Sequence, residues 1–414
     1  MSADLRTQRR HNALGFCTKE LCSALFVSGR SRAAAEADLE TICTRFAGGA
    51  LAPAEIEFTV DGASVTGRLP DGASRRAVAD GIRGARLLER GSGEGPAPHR
   101  ELDPRPWPVG DSVSGKPGYE AMRAAVREHL RVTGARGVAV AHRGELVVEE
   151  FAPGFGPRTP ARGWSTAKTL TALIVDFLAG EGELDPAAPV PVDGLPDITW
   201  LDLLRLRSGL AVRRFEDGSP EMLSDADDYF AMYVRPVSVE RMVARARVEA
   251  APGKLFCYKS IDHLTVALAL RAVLGDDVHG QLTRTVLPAL GLRHSVLETD
   301  ADGIPLLCGG WYTTPGDLAR IGALVTDAMR SAPPVTEVAG PAAMRHPYGT
   351  SLWLTTDGHL GPGLPDVCYA LGSLGQAVFV VPGSELVIAR TALEARPRHP
   401  GLLRAVLGAL AGTP

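Results

Sequence analysis

Lysine is scarce in this chain. Of its 44 lysines and arginines only five are lysines (Lys19, Lys116, Lys168, Lys254 and Lys259), so each stands out in a sequence that otherwise uses arginine. Net positive charge is missing too. The formal charge is −4, with an isoelectric point near 6.2, which leaves no electrostatic case for nucleic acid or an anionic membrane as partner. No stretch approaches the roughly 18 consecutive apolar residues of a membrane span. The basic start, Met1 to Arg10, leads into no long apolar run. Leu21 to Val27 is broken by Ser23 and lacks a small-residue cleavage pattern, so the chain is expected to stay in the cytoplasm. The six cysteines show no paired metal spacing, and Cys17-x4-Cys22 is too isolated for a zinc site. They are expected as buried thiols, with a bridge among Cys17, Cys22 and Cys43 left open. Ten histidines include no His-x-x-x-His pair, which speaks against a metallohydrolase. No metal and no cofactor is expected.

What is present is an ordinary globular composition, 45% hydrophobic and 22% charged, with no internal repeat. The length suits two or three domains, or one large domain with an extension. Residues 1–110 read as an extension of unknown role. Ala33 to Phe46 has helical spacing, Glu55 to Val65 alternates as a strand pair turning at Asp61-Gly62, and Gly91 to Pro108 is linker-like. From Tyr119 the pattern sharpens into a helix (Met122, Val126, His129, Leu130), then an antiparallel hairpin over Gly137–Phe151. The end of the chain offers strands at Tyr348–Leu354, Tyr369–Gln376, Ala377–Val381 and Leu386–Thr391, and a final helix over Leu402–Leu410. An antiparallel sheet built from both chain ends, with a helical insert between, accounts for this order. The first and last helices would lie on one face, and the helix after Ser165 on the other.

The stretch that carries chemistry is Gly163-Trp164-Ser165-Thr166-Ala167-Lys168, which opens the apolar run Ala172 to Leu178. A serine and a lysine three apart at a helix start lie on one face, so the amine can take the hydroxyl proton and activate a nucleophile. Arginine could not, because it does not lose its proton in proteins. Ser165 as a simple helix cap is the competing reading. Further along, Tyr258 and Ser260 would project from one short loop before a helix, though Tyr258 could equally be core and Ser260 an N-cap. Thr314-Pro315-Gly316-Asp317 is a strong helix start. The polar section Arg213 to Ala250 is the expected pocket wall. Trp164, Tyr229, Trp311, Tyr348 and Trp353 could line an apolar pocket or belong to the core.

Three separated signals therefore occur in one order: Ser165-x-x-Lys168, Tyr258-x-Ser260 and the strand Leu371-Gly372-Ser373. The set resembles the serine β-lactamase and penicillin-binding-protein superfamily, most of all the class-C-related serine hydrolases that include esterases, D-aminopeptidases and 6-aminohexanoate-dimer hydrolases. The resemblance spans Asp111 to Pro414. It implies an α/β (α+β) fold: an antiparallel sheet flanked by helices (residues 111–160 and 345–414), a mostly helical subdomain (residues 161–344), and the extension in front. It implies Ser165 as acyl-accepting nucleophile, Lys168 and Tyr258 as its proton-handling partners, and Ser260 as a support of the lysine network or a substrate contact. The backbone N–H groups of Ser165 and Ser373, beside Gly372, would form the oxyanion hole. The implied activity is hydrolysis of a small ester or amide through an acyl-enzyme. Acyl transfer or peptide ring closure at the same site is the alternative, and a receptor without turnover comes third. Where many relatives carry lysine or histidine in the third motif, this chain has Ala370-Leu371, and no lysine follows Lys259. That favours a neutral or differently anchored substrate over an antibiotic. The oligomeric state is left open.

Overall fold

The computed structural model describes all residues except 1, 48–49, 89–90, 92, 216–218, 220, 333–334, 341–343, 398 and 412–414. Parts of the expected linker and of the polar middle section fall among these exceptions.

A six-stranded antiparallel sheet is assembled from both halves of the chain. After helix α3 (Glu120–Val132) come β5 (Ala135–His142) and β6 (Glu145–Phe151). The other four strands are β7 (Trp353–Leu354), β8 (Cys368–Gly372), β9 (Gln376–Val381) and β10 (Leu386–Ala392), in the order β7-β8-β9-β10-β5-β6. The two ends of the chain are zipped together along β10 and β5, with Ile388 opposite Val140 and Ala389 opposite Ala139. Because strand side chains alternate in direction, these residues face two separate cores. Val138, Val140, Val148, Phe379 and Ile388 pack with Met122 and Val126 of α3 and with Leu402, Leu403 and Val406 of the last helix, His399–Leu410. Ala139, Ala141, Leu146, Val378 and Val387 face the second core.

The helix lying directly on that second face is Pro315–Ala323, where a Cβ added at Gly322 would meet Val387 Cγ1 at 2.5 Å. It starts as its residues predict, with the Thr314 hydroxyl accepting from the Asp317 N–H. The helix after Ser165, α4 (Ala167–Gly180), lies on the expected side of the sheet, opposite the first and last helices, but one layer further out, behind this helix. Leu170, Leu173, Ile174, Val175 and Leu178 are all buried. A helix apolar on most sides needs cover on most sides, and α4 finds it among other helices, including Ile261–Leu274.

The extension holds α1 (Ala3–Phe26), α2 (Arg32–Ala47) and a four-stranded antiparallel meander, β1 (Glu57–Asp61), β2 (Ser64–Arg68), β3 (Ser74–Ala79) and β4 (Ala85–Leu87). The sequence reading found α2 and the β1–β2 pair but neither α1 nor the second strand pair. α1 hides because its buried residues include Arg9, Asn12, Lys19 and Glu20, which erase an apolar stripe. Cys17 of α1 and Cys43 of α2 are joined as a disulfide, while Cys22 is a buried thiol.

The seam between the extension and the rest of the chain is not a hinge. Lys19 and Ser23 both bond the carboxylate of Glu298, Ser23 at 2.6 Å, and Arg162 reaches Glu298 at 2.8 Å and Glu20 at 2.9 Å. Beside this ionic cluster, Phe46 packs 4.8 Å from the Trp164 ring, with Phe16 at 6.2 Å and Tyr233 at 5.7 Å. Among the described residues, no helix is long and apolar enough to cross a membrane.

Candidate active site

The segment leading to Ser165 is pinned before it turns. Ala161–Arg162 pairs antiparallel with Trp311–Thr313, and the Gly163 N–H donates to Trp311 O at 2.6 Å. Trp164 then adopts a left-handed backbone (φ 50°), costly for a non-glycine residue and held here by the packing of its ring. A 3₁₀ turn, Trp164–Thr166, feeds into α4, with the Thr166 hydroxyl donating to Gly163 O at 2.8 Å. Ser165 therefore sits on a rigid corner and caps nothing. It is partly exposed at the surface of an otherwise buried turn.

Lys168 is 1% exposed, and its Nζ donates to Ser165 Oγ at 3.2 Å and to Cys308 O at 2.9 Å. Neither acceptor is a carboxylate. Burial pulls its pKa below the usual lysine range, and the nearby Arg214 guanidinium pushes the same way. Tyr258 hydrogen-bonds Ser165, and its ring centre lies 5.1 Å from Lys168 Nζ. Burial pushes the Tyr258 phenol up to about 12, against the opposing pull of the Ser165 bond. The ring is clamped by Trp353, stacked at 5.2 Å, and by Tyr348, edge-on at 6.1 Å.

Ser260 precedes helix Ile261–Leu274 without capping it. It is buried, and its hydroxyl bonds the Cys308 thiol, whose pKa burial raises. Cys308 thus touches Lys168 through its carbonyl and Ser260 through its sulfur. Lys259, between Tyr258 and Ser260, turns the other way to Asp262 at 3.5 Å, and Asp262 also accepts from Ser208 at 2.7 Å.

The third motif abuts the corner from the far side. A Cβ added at Gly372, the last residue of β8, would stand 2.2 Å from Gly163 O and 3.0 Å from Trp164 Cβ. Only glycine lets the strand come this close, and Ser373 follows it, partly exposed.

The remaining candidates divide. Tyr229 lies at the site's edge, half-buried, with Arg214 stacked on it at 4.4 Å. Tyr348 and Trp353 support Tyr258. Trp164 and Trp311 are 5% and 0% exposed and sit in the core, the alternative the sequence offered for both, although Trp164 also borders a small cavity beside α2. Trp164 fills the seam with the extension, and Trp311 belongs to the strand that holds Gly163. Reading the residues alone missed Cys308, Arg214, and the buried pair His263–Ser351 (2.9 Å), which with Thr169 and its bond to Ser351 O (2.6 Å) ties the start of α4 to the loop before β7. None of these carries a local signature, since each partner is remote in sequence.

His346, Asp357 and His359 are the one group among the described residues with ligand atoms close enough to suggest a metal, all within 4.8 Å. Both rings bond Asp357, but they stack face to face with centroids 3.7 Å apart and planes 14° apart. A metal bonds an imidazole nitrogen along its in-plane lone pair. Two parallel rings do not aim those lone pairs at one point, so the three side chains form a hydrogen-bonded bridge between loops.

Residues 122–412 match the model of the Beta-lactamase family. No curated protein matches significantly. Among solved structures, a penicillin-binding protein homolog from Caulobacter crescentus is 16% identical over 72% of this chain and 99% of its own, with a TM-score of 0.54. A beta-lactamase/D-alanine carboxypeptidase from Yersinia pestis is 18% identical over 70% and 98%, with a TM-score of 0.51. EstCE1, a hydrolase with promiscuous acyltransferase activity, is 16% identical over 70% and 98%, with a TM-score of 0.53. At these identities the likeness speaks for the fold, and the family match spans well over half of the residues. The chain belongs to the Beta-lactamase family.

Proposed function

We propose that this protein is a serine hydrolase that forms an acyl-enzyme on Ser165 and releases a small acid from an ester or amide. The observation that supports it most is Lys168, a buried lysine that donates to the hydroxyl of Ser165 and the carbonyl of Cys308 rather than to a carboxylate. A buried, depressed lysine spends more of its time neutral and can accept a proton.

The two neighbours of Ser165 then have different roles. Tyr258, with its proton affinity raised, is a poor base near neutral pH and a suitable donor. Neutral Lys168 takes the Ser165 proton as Oγ bonds the substrate carbonyl carbon. Tyr258 passes its own proton to the leaving oxygen or nitrogen as that bond breaks, and is reprotonated from Lys168. The backbone N–H groups of Ser165 and Ser373 stabilise the oxyanion, an interaction worth about 3 kcal/mol per donor in such sites. Water repeats the sequence to free the acid.

The test is turnover of short p-nitrophenyl esters together with mass spectrometry of the intact protein. Ser165→Ala should abolish turnover and the acyl adduct, and Tyr258→Phe should slow turnover with acyl-enzyme still detectable. Undiminished turnover by pure Ser165→Ala protein would overturn the mechanism. Adding an alcohol or amine to the assay separates hydrolysis from acyl transfer by the product formed.

A further inference from the structure

We propose that the cleft between the meander of the extension and the segment Val212–Arg245 is a binding site for a small polyanion, of the pyrophosphate or tricarboxylate kind. The cleft has a volume of about 600 Å³, within the size range of small-ligand sites. Arg75 and Arg76 of β3 stand on one wall, and Arg241 and Arg245 on the other. The latter pair, four apart on and just past the short helix Val239–Ala244, share one face of it.

The charges in the cleft are unbalanced. Two further lining arginines are matched: Arg213 bonds Asp228 at 3.1 Å, and Arg235 bonds Asp225 at 3.2 Å. Arg75 and Arg76 donate to the backbone carbonyls of Ser74 and Gly91, which are neutral. Glu240, the acid nearest Arg241 in sequence, turns instead to Arg271 at 3.1 Å. Among the described residues the lining thus holds six arginines against two aspartates, in a chain whose overall charge is −4. Four guanidinium groups without a carboxylate partner among the described residues, on facing walls, repel one another across the gap. An anion with at least two charged groups relieves that repulsion from both sides, and the forked donors suit phosphate or carboxylate oxygens. Leu87, Val237 and Met242 give the cleft an apolar component that accepts a carbon skeleton. The negative charge of the rest of the molecule argues against a nucleic-acid strand as the occupant. The proposal does not depend on the chemistry at Ser165, since none of its catalytic candidates lines this cleft.

The experiment is calorimetric titration of the full chain with pyrophosphate and, separately, with tricarballylate, acetate serving as monoanion control. Binding of either polyanion, weakened about tenfold or more in both Arg75→Gln/Arg76→Gln and Arg241→Gln/Arg245→Gln, and unaltered in Arg247→Gln outside the cleft, is the expected result. Which of the two probes binds more tightly tells phosphate from carboxylate chemistry. Thermal unfolding of each variant confirms that it is folded. The charge-conserving Arg241→Lys/Arg245→Lys should fall between wild type and the glutamine variant. No heat from either polyanion with the wild type, or equal binding by wild type and both double variants, overturns the site.

Discussion

Replacing Glu298 by glutamine tests how firmly the extension is joined to the rest of the molecule. Glu298 is 0% exposed and accepts from Lys19, Ser23 and Arg162, so two buried cations share two buried carboxylates, Glu298 and Glu20. Glutamine keeps the volume and opens no cavity, but leaves two cations to one carboxylate. Breaking a buried pair in this way costs about 3–5 kcal/mol. With an unfolding entropy of about 2.1 cal/mol/K per residue, a chain of this length would lose about 3–6 °C in Tm. The loss should depend on pH. Burial already holds Lys19 below its ordinary pKa, Arg162 lowers it further, and Glu298 opposes both. Without Glu298 the folded state disfavours the charged lysine more strongly. That cost is full below the folded pKa and disappears as pH rises past the unfolded value, so the gap between wild type and Glu298→Gln should narrow as pH is raised from neutral toward the ordinary lysine range. Lys19→Met combined with Glu298→Leu removes the pair together, leaves Arg162 with Glu20, and should recover to within about 1 kcal/mol of wild type. Urea unfolding followed by circular dichroism at both ends of that range measures all three. A loss under about 1 kcal/mol for Glu298→Gln would refute the view that this cluster holds the seam.

Other expectations follow from the site. Gly372→Ala would drive a methyl group into the backbone oxygen of Gly163, so stability should fall by about 1–3 kcal/mol and kcat by about 10²-fold as the proposed oxyanion donors are displaced; kinetics alongside melting curves would decide, and near-normal kcat and Tm would disprove the close approach. The pH profile of kcat/KM should show one ascending limb set by deprotonation of Lys168, lying below the ordinary lysine range, because burial lowers its pKa. No descending limb from Tyr258 should appear below about pH 12. In Arg214→Gln the limb should move to higher pH, since the guanidinium disfavours the charged lysine; an unmoved limb would place Arg214 outside the electrostatics of the site.

Much of the hydrolase-like part was readable because its elements declare themselves locally. A capping residue marks the start at Thr314, where the structure shows the cap. Strands β5, β9 and β10 appear close to the ranges expected for them. The glycine at Gly372 was noticed, but only the structure gives its reason, contact with a carbonyl more than 200 residues earlier. Cys308, Arg214 and Ser351 could not be anticipated, because their importance lies in partners that the chain brings together from afar. α1 was missed for the opposite cause. It is buried through polar residues whose partners lie elsewhere in the chain, Asn12 on Leu223 and Asp225, Lys19 on Glu298 and Glu20 on Arg162, and a hydrophobic pattern cannot announce a helix whose inner face is partly ionic. The aromatic candidates were ambiguous on sequence grounds, since a ring packs equally well in a wall or a core. The helix after Ser165 was found but set one layer too near the sheet, since apolarity on most sides says that a helix is buried, not against what.

The ionic seam has a consequence for how the protein is made. Glu298 lies 279 positions after its partner Lys19. At about 5–20 residues per second, α1 leaves the ribosome about 15–55 s before the carboxylate it needs exists. During that interval Lys19 and Glu20 lack their partners Glu298 and Arg162, while the apolar residues beside them can already pack on α2, as Phe16 does against Phe46. The corner carrying Ser165, whose Arg162 and Trp164 rest on the same helix, cannot settle either. The nascent chain can thus fold α1 onto its neighbours early, yet the ionic side of that helix is locked only once Glu298 has been made.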